Sequence, residues 1–123
     1  MSNVELTLKE AMEIDGAVAV ALVDYGSGMS LGALGGGADL DLDVAAAGNT
    51  DVVRAKMRTL DLLKMKDEIE DILITLGSQY HLIRLLQSTS GQGLFLYLVL
   101  DKNKANLAMA RRRLSILEGS LTL

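Results

Sequence analysis

Two stretches of this chain are apolar at every position: Ala17 to Val23, AVAVALV, and Leu94 to Leu100, LFLYLVL. Both are bounded by turn residues and rich in small, β-branched or aromatic side chains, so both read as strands. A strand with no polar face has protein on both sides of it. One sheet with helices above and below it satisfies that requirement, giving an α/β sandwich of about three layers.

The rest of the chain supplies the other elements. Residues 4 to 13, VELTLKEAME, place Val4, Leu8 and Ala11 at helical spacing after a candidate cap, Ser2 or Asn3. After AVAVALV comes the turn DYGSG and then MSLGAL (Met29 to Leu34), which together predict a hairpin. Asp39, Asp41 or Asp43 starts a central helix that runs to about Met65, with a break expected near Gly48 and Asn49. In its second part Asn49 or Thr50 is the expected cap, and Val53, Met57, Leu60 and Leu63 form one stripe against Arg54, Lys56, Arg58 and Asp61.

Three apolar runs come next: Ile69 to Leu76, Tyr80 to Gln87 after GSQ, and Leu94 to Leu100 after STSGQG. Their spacing predicts an antiparallel meander. Asp101 or Asn103 is the expected cap of a closing helix on which Leu107, Ala110, Leu114 and Leu117 share a face. The order is α-β-β-α-β-β-β-α around a five-stranded antiparallel sheet. At 123 residues, half of them apolar, the expectation is a single domain over 1–123.

Composition excludes several classes of function. There is no cysteine, hence no disulfide framework, thiolate nucleophile or cysteine zinc site, and a reducing cytoplasmic setting is the expectation. No apolar run approaches the length of a membrane span. A net charge of −4 argues against a general nucleic-acid binder. The charge is split, however: nine acids and one base through Asp51, then eleven bases and seven acids.

The glycine-rich stretch GSGMSLGALGGGADL (Gly26 to Leu40) invites comparison with phosphate loops and fails it. A dinucleotide fingerprint beginning at Gly26 needs glycine where Leu31 stands, and the Gly-Lys-Ser/Thr ending of a Walker loop is absent. Both motifs also need a helix next, whereas MSLGAL reads as strand. The expected reading is structural: Gly26 and Gly28 in a turn at positive φ, Gly32 at a bulge or a close backbone approach, Gly35 to Gly37 as a loose link. Asp39, Asp41 and Asp43 alternate like calcium ligands, but Val44 and Thr50 stand where such a loop requires glycine and glutamate. They are read as helix-start residues.

His81, the only histidine, has Ser78, Arg84 and Gln87 nearby in sequence, a poor set for a metal or a catalytic dyad. Ser30 stands in GMSLG, which has the G-x-S-x-G spacing of a nucleophile elbow, but MSLGAL reads as strand and not as the sharp strand-to-helix turn that exposes such a serine, so no acyl-transfer nucleophile is assigned. Arg111, Arg112 and Arg113 with Lys102 and Lys104 make the closing helix basic, read as a solvated face, and Met57, Met65 and Met109 are read as core filler. No catalytic residue, cofactor site or metal site is assigned.

The hairpin GAVAVALVDYGSGMSLGAL, the segment DILITLGSQYHLIRLLQS, the run GLFLYLVLD and the closing NLAMARRRL, in that succession, resemble the roadblock family, named after a dynein light chain and common in bacteria and archaea. The resemblance implies a roadblock/profilin-like sandwich. It also implies a homodimer, with third strands paired edge to edge and central helices packed together, that serves as a non-enzymatic platform for small Ras-like GTPases or as a scaffold subunit. On this sequence the expected self-interface is Val53, Met57 and Leu60 of the central helix with Ile72 and Ile74 of the third strand. The alternative is a ligand sensor that holds a small molecule between helices and sheet.

Overall fold

The computed structural model describes residues 2–87 and 91–123. Its elements take the expected order: α1 (Val4–Ala11), β1 (Ala17–Asp24), β2 (Met29–Gly35), α2 (Leu42–Leu62), β3 (Asp71–Thr75), β4 (Gln79–Leu85), β5 (Leu94–Asp101) and α3 (Leu107–Ser120). The five strands form one antiparallel sheet in the order β2-β1-β5-β4-β3. The central strand is β5, the LFLYLVL run, with β1 beside it.

Alternation in these two strands divides the core. Val20, Leu22, Leu96, Leu98 and Leu100 point to one side, against Leu8 and Ala11 of α1 and Ala110, Leu114 and Leu117 of α3. Ala19, Ala21, Val23, Phe95, Tyr97 and Val99 point to the other, where Ala46 and Val53 of α2 meet them. Most of these side chains are fully buried. Each of the larger ones contributes roughly 1.5–3 kcal/mol by leaving water, which is what holds three layers together. Ala19 and Ala21 of β1 face α2, so the helix backbone can approach the sheet closely.

The helix termini differ from expectation in instructive ways. α2 has no break: it is continuous through Gly48 and Asn49, and Thr50 is not a cap but a buried residue whose hydroxyl donates to the Ala46 carbonyl at 2.8 Å. Asp41 is the cap, its Oδ1 accepting from the backbone N–H groups of Asp43 and Val44. α3 is capped by Asn106, which accepts from the Met109 N–H, rather than by Asp101 or Asn103. Asp101 instead closes a local turn by accepting from Asn103 N–H. Asn3 precedes α1 without capping it. Its side chain bridges the two ends of the chain, donating to the Ser120 carbonyl and accepting from Thr122 N–H.

Smaller corrections concern strands and glycines. β3 begins at Asp71 rather than Ile69, and β4 spans Gln79–Leu85. Ser88 to Ser90 of the expected STSGQG turn lie outside the described residues. In the first hairpin Gly28 takes a positive φ and Gly26 does not. Gly32 does mark a bulge, since the pairing slips from Leu22↔Gly32 to Val23↔Ser30. What comes close to it is side chain: an added Cβ would stand 3.0 Å from Leu8 Cδ1. Met65 and Met109 are exposed, at 47% and 67%, so neither fills the core.

Candidate functional site

α2 lies mainly across β1 and β2, one side of the sheet. Ala46, Thr50 and Val53 form its buried line, and Met57 continues that line half-buried. On the same face, the β3 and β4 half of the sheet is therefore only partly covered. Ile72 and Ile74 of β3 and His81 of β4 are half-buried there. β3 is also an edge strand, with β4 on one side and no strand on the other among the described residues.

The five residues expected at a self-interface are thus distributed unevenly. Ile72, Met57 and Val53 belong to one apolar cluster. Leu60 lines a cleft of about 500 Å³ with Met57, Tyr25 and Ile69. Ile74 pairs with His81 across the ladder. Val53 is 0% exposed, so its role in the protomer is to seat α2 on the sheet.

The outward side of α2 carries a second line that the stripe reading passed over. Val44, Gly48, Val52, Ala55, Thr59 and Leu62 are all exposed and recur at three- and four-residue spacing, so they share one side of the helix. Leu62 is 78% exposed and Val44 68%. A weakly polar strip of this kind is a surface on which another helix can lie closely. Its signal was present in the sequence, but Arg54, Lys56, Arg58 and Asp61 made the side away from the stripe read as solvated.

Beneath the first half of α2 a polar chain crosses the sheet face. His81 Nε2 lies 3.0 Å from Gln79 Oε1, which accepts its proton, and His81 Nδ1 then accepts from the Tyr97 hydroxyl at 2.9 Å. Asn49 of α2 lies beside a cleft that Tyr97 and His81 also line. Burial holds the His81 pKa below its ordinary value and pushes the Tyr97 phenol up. None of the partners expected for His81 from sequence is the one it uses. The chain Tyr97–His81–Gln79 contains no carboxylate.

Across the sheet, Arg111 of α3 makes a two-pronged pair with Asp71 of β3, at 3.0 and 3.2 Å. Arg84 Nε donates to Glu118 at 2.8 Å. These contacts occupy Asp71, one of the charges that would guard the β3 edge against pairing. Arg112 and Arg113 remain largely exposed, Arg113 with Glu10 at 3.9 Å. Among the described residues no group of His, Asp or Glu has metal-binding proximity, and no helix is long and apolar enough to cross a membrane.

No protein-family model matches the sequence, and no curated protein matches it. Solved structures do resemble it. MglB of Myxococcus xanthus superimposes with a TM-score of 0.74 at 18% identity, covering 93% of this chain and 84% of that one. A Roadblock/LC7 domain from Streptomyces avermitilis gives 0.78 at 14% identity, covering 94% and 91%. MglC of Myxococcus xanthus gives 0.59 at 19%, covering 94% and 93%. The chain has the roadblock fold.

Proposed function

We propose that residues 1–123 form a single domain that works as a non-enzymatic homodimeric interaction module, binding a small Ras-like GTPase or serving as a scaffold subunit. The observation that carries this reading is the off-centre seat of α2, which leaves Ile72 and Ile74 half covered beside the open β3 edge. A two-fold axis through β3 extends the sheet from one protomer to the next. The fold shared with MglB and with a Roadblock/LC7 domain supports the same reading. In the dimer Ile72, Ile74, Met57 and Leu60 line the interface, and Val53 supports it from beneath.

If the partner is a GTPase, this module acts by holding the GTPase's own switch loops in place, because hydrolysis depends on positioning and electrostatics more than on new covalent chemistry. Light scattering at micromolar concentration is the first test, with twice the monomer mass expected. Ile74→Lys places a charge on the edge and is expected to give monomers that keep their circular dichroism. A wild-type monomer would overturn the dimer. Hydrolysis by the cognate GTPase that does not change on adding the protein would remove the activating role and leave the scaffold.

The cleft of about 500 Å³ lined by Tyr25, Met57, Leu60, Ile69, Asp61 and Gln87 favours a second reading, a ligand sensor. A thermal-shift screen with metabolites and nucleotides separates the two, since a true ligand raises the midpoint with its concentration.

A further inference from the structure

The sheet has a second open edge at β2, on the far side from β3. β2 reads MSLGALG and carries neither a charge nor a proline, the residues that ordinarily protect an edge from pairing. Its bulge lies near the hairpin end, where Leu31 has no partner in β1 and is 51% exposed. From Gly32 to Gly35 the ladder with β1 is regular, so the outer side of that segment presents backbone groups to whatever lies beside it.

The two sides of this edge differ in chemistry. Beside α1 an open groove of about 780 Å³ is lined by Val4, Leu6, Leu31 and Leu34, with the paired Glu5 and Lys9 along it. Its floor is backbone at Gly32, because α1 side chains already stand where a Cβ would be. Beside the start of α2 a second cleft, about 410 Å³, is lined by Ala33, Gly35, Leu40, Asp41 and Asp43. An added strand points successive side chains alternately into these two clefts. One set meets leucine and valine, the other aspartate.

Charge decides which kind of strand fits. The chain through Asp51, which builds α1, this hairpin and the start of α2, holds nine acids and one base, Lys9, and Lys9 is already beside Glu5 at 3.6 Å. Pairing β2 with β2 of a second copy brings two such acidic surfaces together and is opposed by like-charge repulsion. We propose that the β2 edge accepts, by strand addition, an extended segment of a partner protein in which apolar and basic residues alternate. The apolar residues enter the α1 groove, and the basic ones face Asp41 and Asp43.

The test uses the whole chain and three fluorescent heptapeptides: alternating Lys and Val, alternating Glu and Val, and a block of lysines followed by a block of valines. Binding is read by anisotropy and amide hydrogen exchange. The alternating Lys-Val peptide is expected to bind and to slow exchange across Gly32 to Leu34, and the Glu-Val peptide to fail. Leu31→Lys and Leu6→Lys, both at positions more than half exposed, are each expected to weaken binding by about tenfold or more, as is Asp43→Lys, without unfolding.

Three outcomes overturn the proposal. They are no binding, equal binding of the block peptide without protection of β2, and self-association that Leu31→Lys abolishes, which gives the edge to a second copy. The measurements are repeated in Ile74→Lys, so that a failed β3 dimer and a failed β2 site give different results.

Discussion

Glu118 of α3 is 6% exposed and ties the helix to β4 and to the segment that follows it. Its Oε1 accepts from Arg84 Nε of β4 at 2.8 Å, and its Oε2 accepts from the backbone N–H of Gln87 beyond the end of that strand. The side chains are 17% exposed for Arg84 and 8% for Glu118, so neither charge is well hydrated. Removing one partner of a buried pair costs about 3–5 kcal/mol, because the survivor is left uncompensated. Arg84 keeps a little water and a 3.4 Å contact to Ser115 Oγ, which places Glu118→Ala at the low end, about 3 kcal/mol. That is a large share of the roughly 5–15 kcal/mol that holds a domain folded.

Replacing both partners, Arg84→Met with Glu118→Leu, removes the desolvation penalty together with the pair and is expected to stay within about 1 kcal/mol of the wild type. The assay is urea denaturation at one fixed protein concentration, with the slope checked for constancy. At about 1.5 kcal/mol per molar, Glu118→Ala lowers the midpoint by about 2 M. The cycle of both single variants and the double then gives the coupling. A single variant that moves the midpoint by less than about 0.5 M, or a double variant as damaged as the single, would refute the reasoning.

Local geometry sets three more expected outcomes. Gly35→Ala is expected to cost about 3 kcal/mol, near 10 °C in melting temperature, because φ is +80° and the new Cβ would stand 2.3 Å from the Val18 carbonyl oxygen; a melt within a few degrees of wild type would contradict it. Lys64 sits at φ 58° just past α2, where Met65 N–H bonds to Leu60 and Lys64 N–H to Asp61, so Lys64→Gly is expected to raise stability by about 0.5–1 kcal/mol in the same urea assay. His81 has a folded pKa below its ordinary value, so the unfolded chain takes up the proton first as pH falls. Stability present above about 6.5 is therefore lost as pH drops from there through the folded value, and His81→Gln should flatten that part of the urea-midpoint profile.

What the sequence revealed and what it concealed divide along a physical line. The two-sided apolar strands β1 and β5 dictated the three layers because alternation is local and their pattern has no competing reading. The bulge at Gly32 was legible as one of two readings of a glycine inside a strand, whereas the β3 edge came only with the family resemblance. The break expected in α2 was wrong because Gly48-Asn49-Thr50 has the composition of a helix end, whereas its partners are remote. Asn49 faces a cleft shared with Tyr97 and His81 of the sheet, and Thr50 turns its hydroxyl back to Ala46. Asp101 and Asn103 were the expected caps of α3, but Asp101 is taken up by the turn after β5 and Asn106, three residues further on, caps the helix.

The candidate site was half legible. Ile72 and Ile74 entered only through the family resemblance, which implies third strands paired edge to edge, and the structure does put β3 at the edge of the sheet. Val53 announced itself in the α2 stripe and turned inward, because a helical stripe records that a face is covered and not by what. The cover is the protomer's own β1, with Ala19 and Ala21 beneath α2. The weaker line of Val44, Gly48, Val52, Ala55, Thr59 and Leu62 is then the one left for another molecule. Val52→Glu on that line and Ile74→Lys on the β3 edge should each disrupt the same dimer in light scattering, whereas neither should move peptide binding at β2. A Val52→Glu protein that stays dimeric would confine the self-interface to the strand edge and leave the outward side of α2 for the partner.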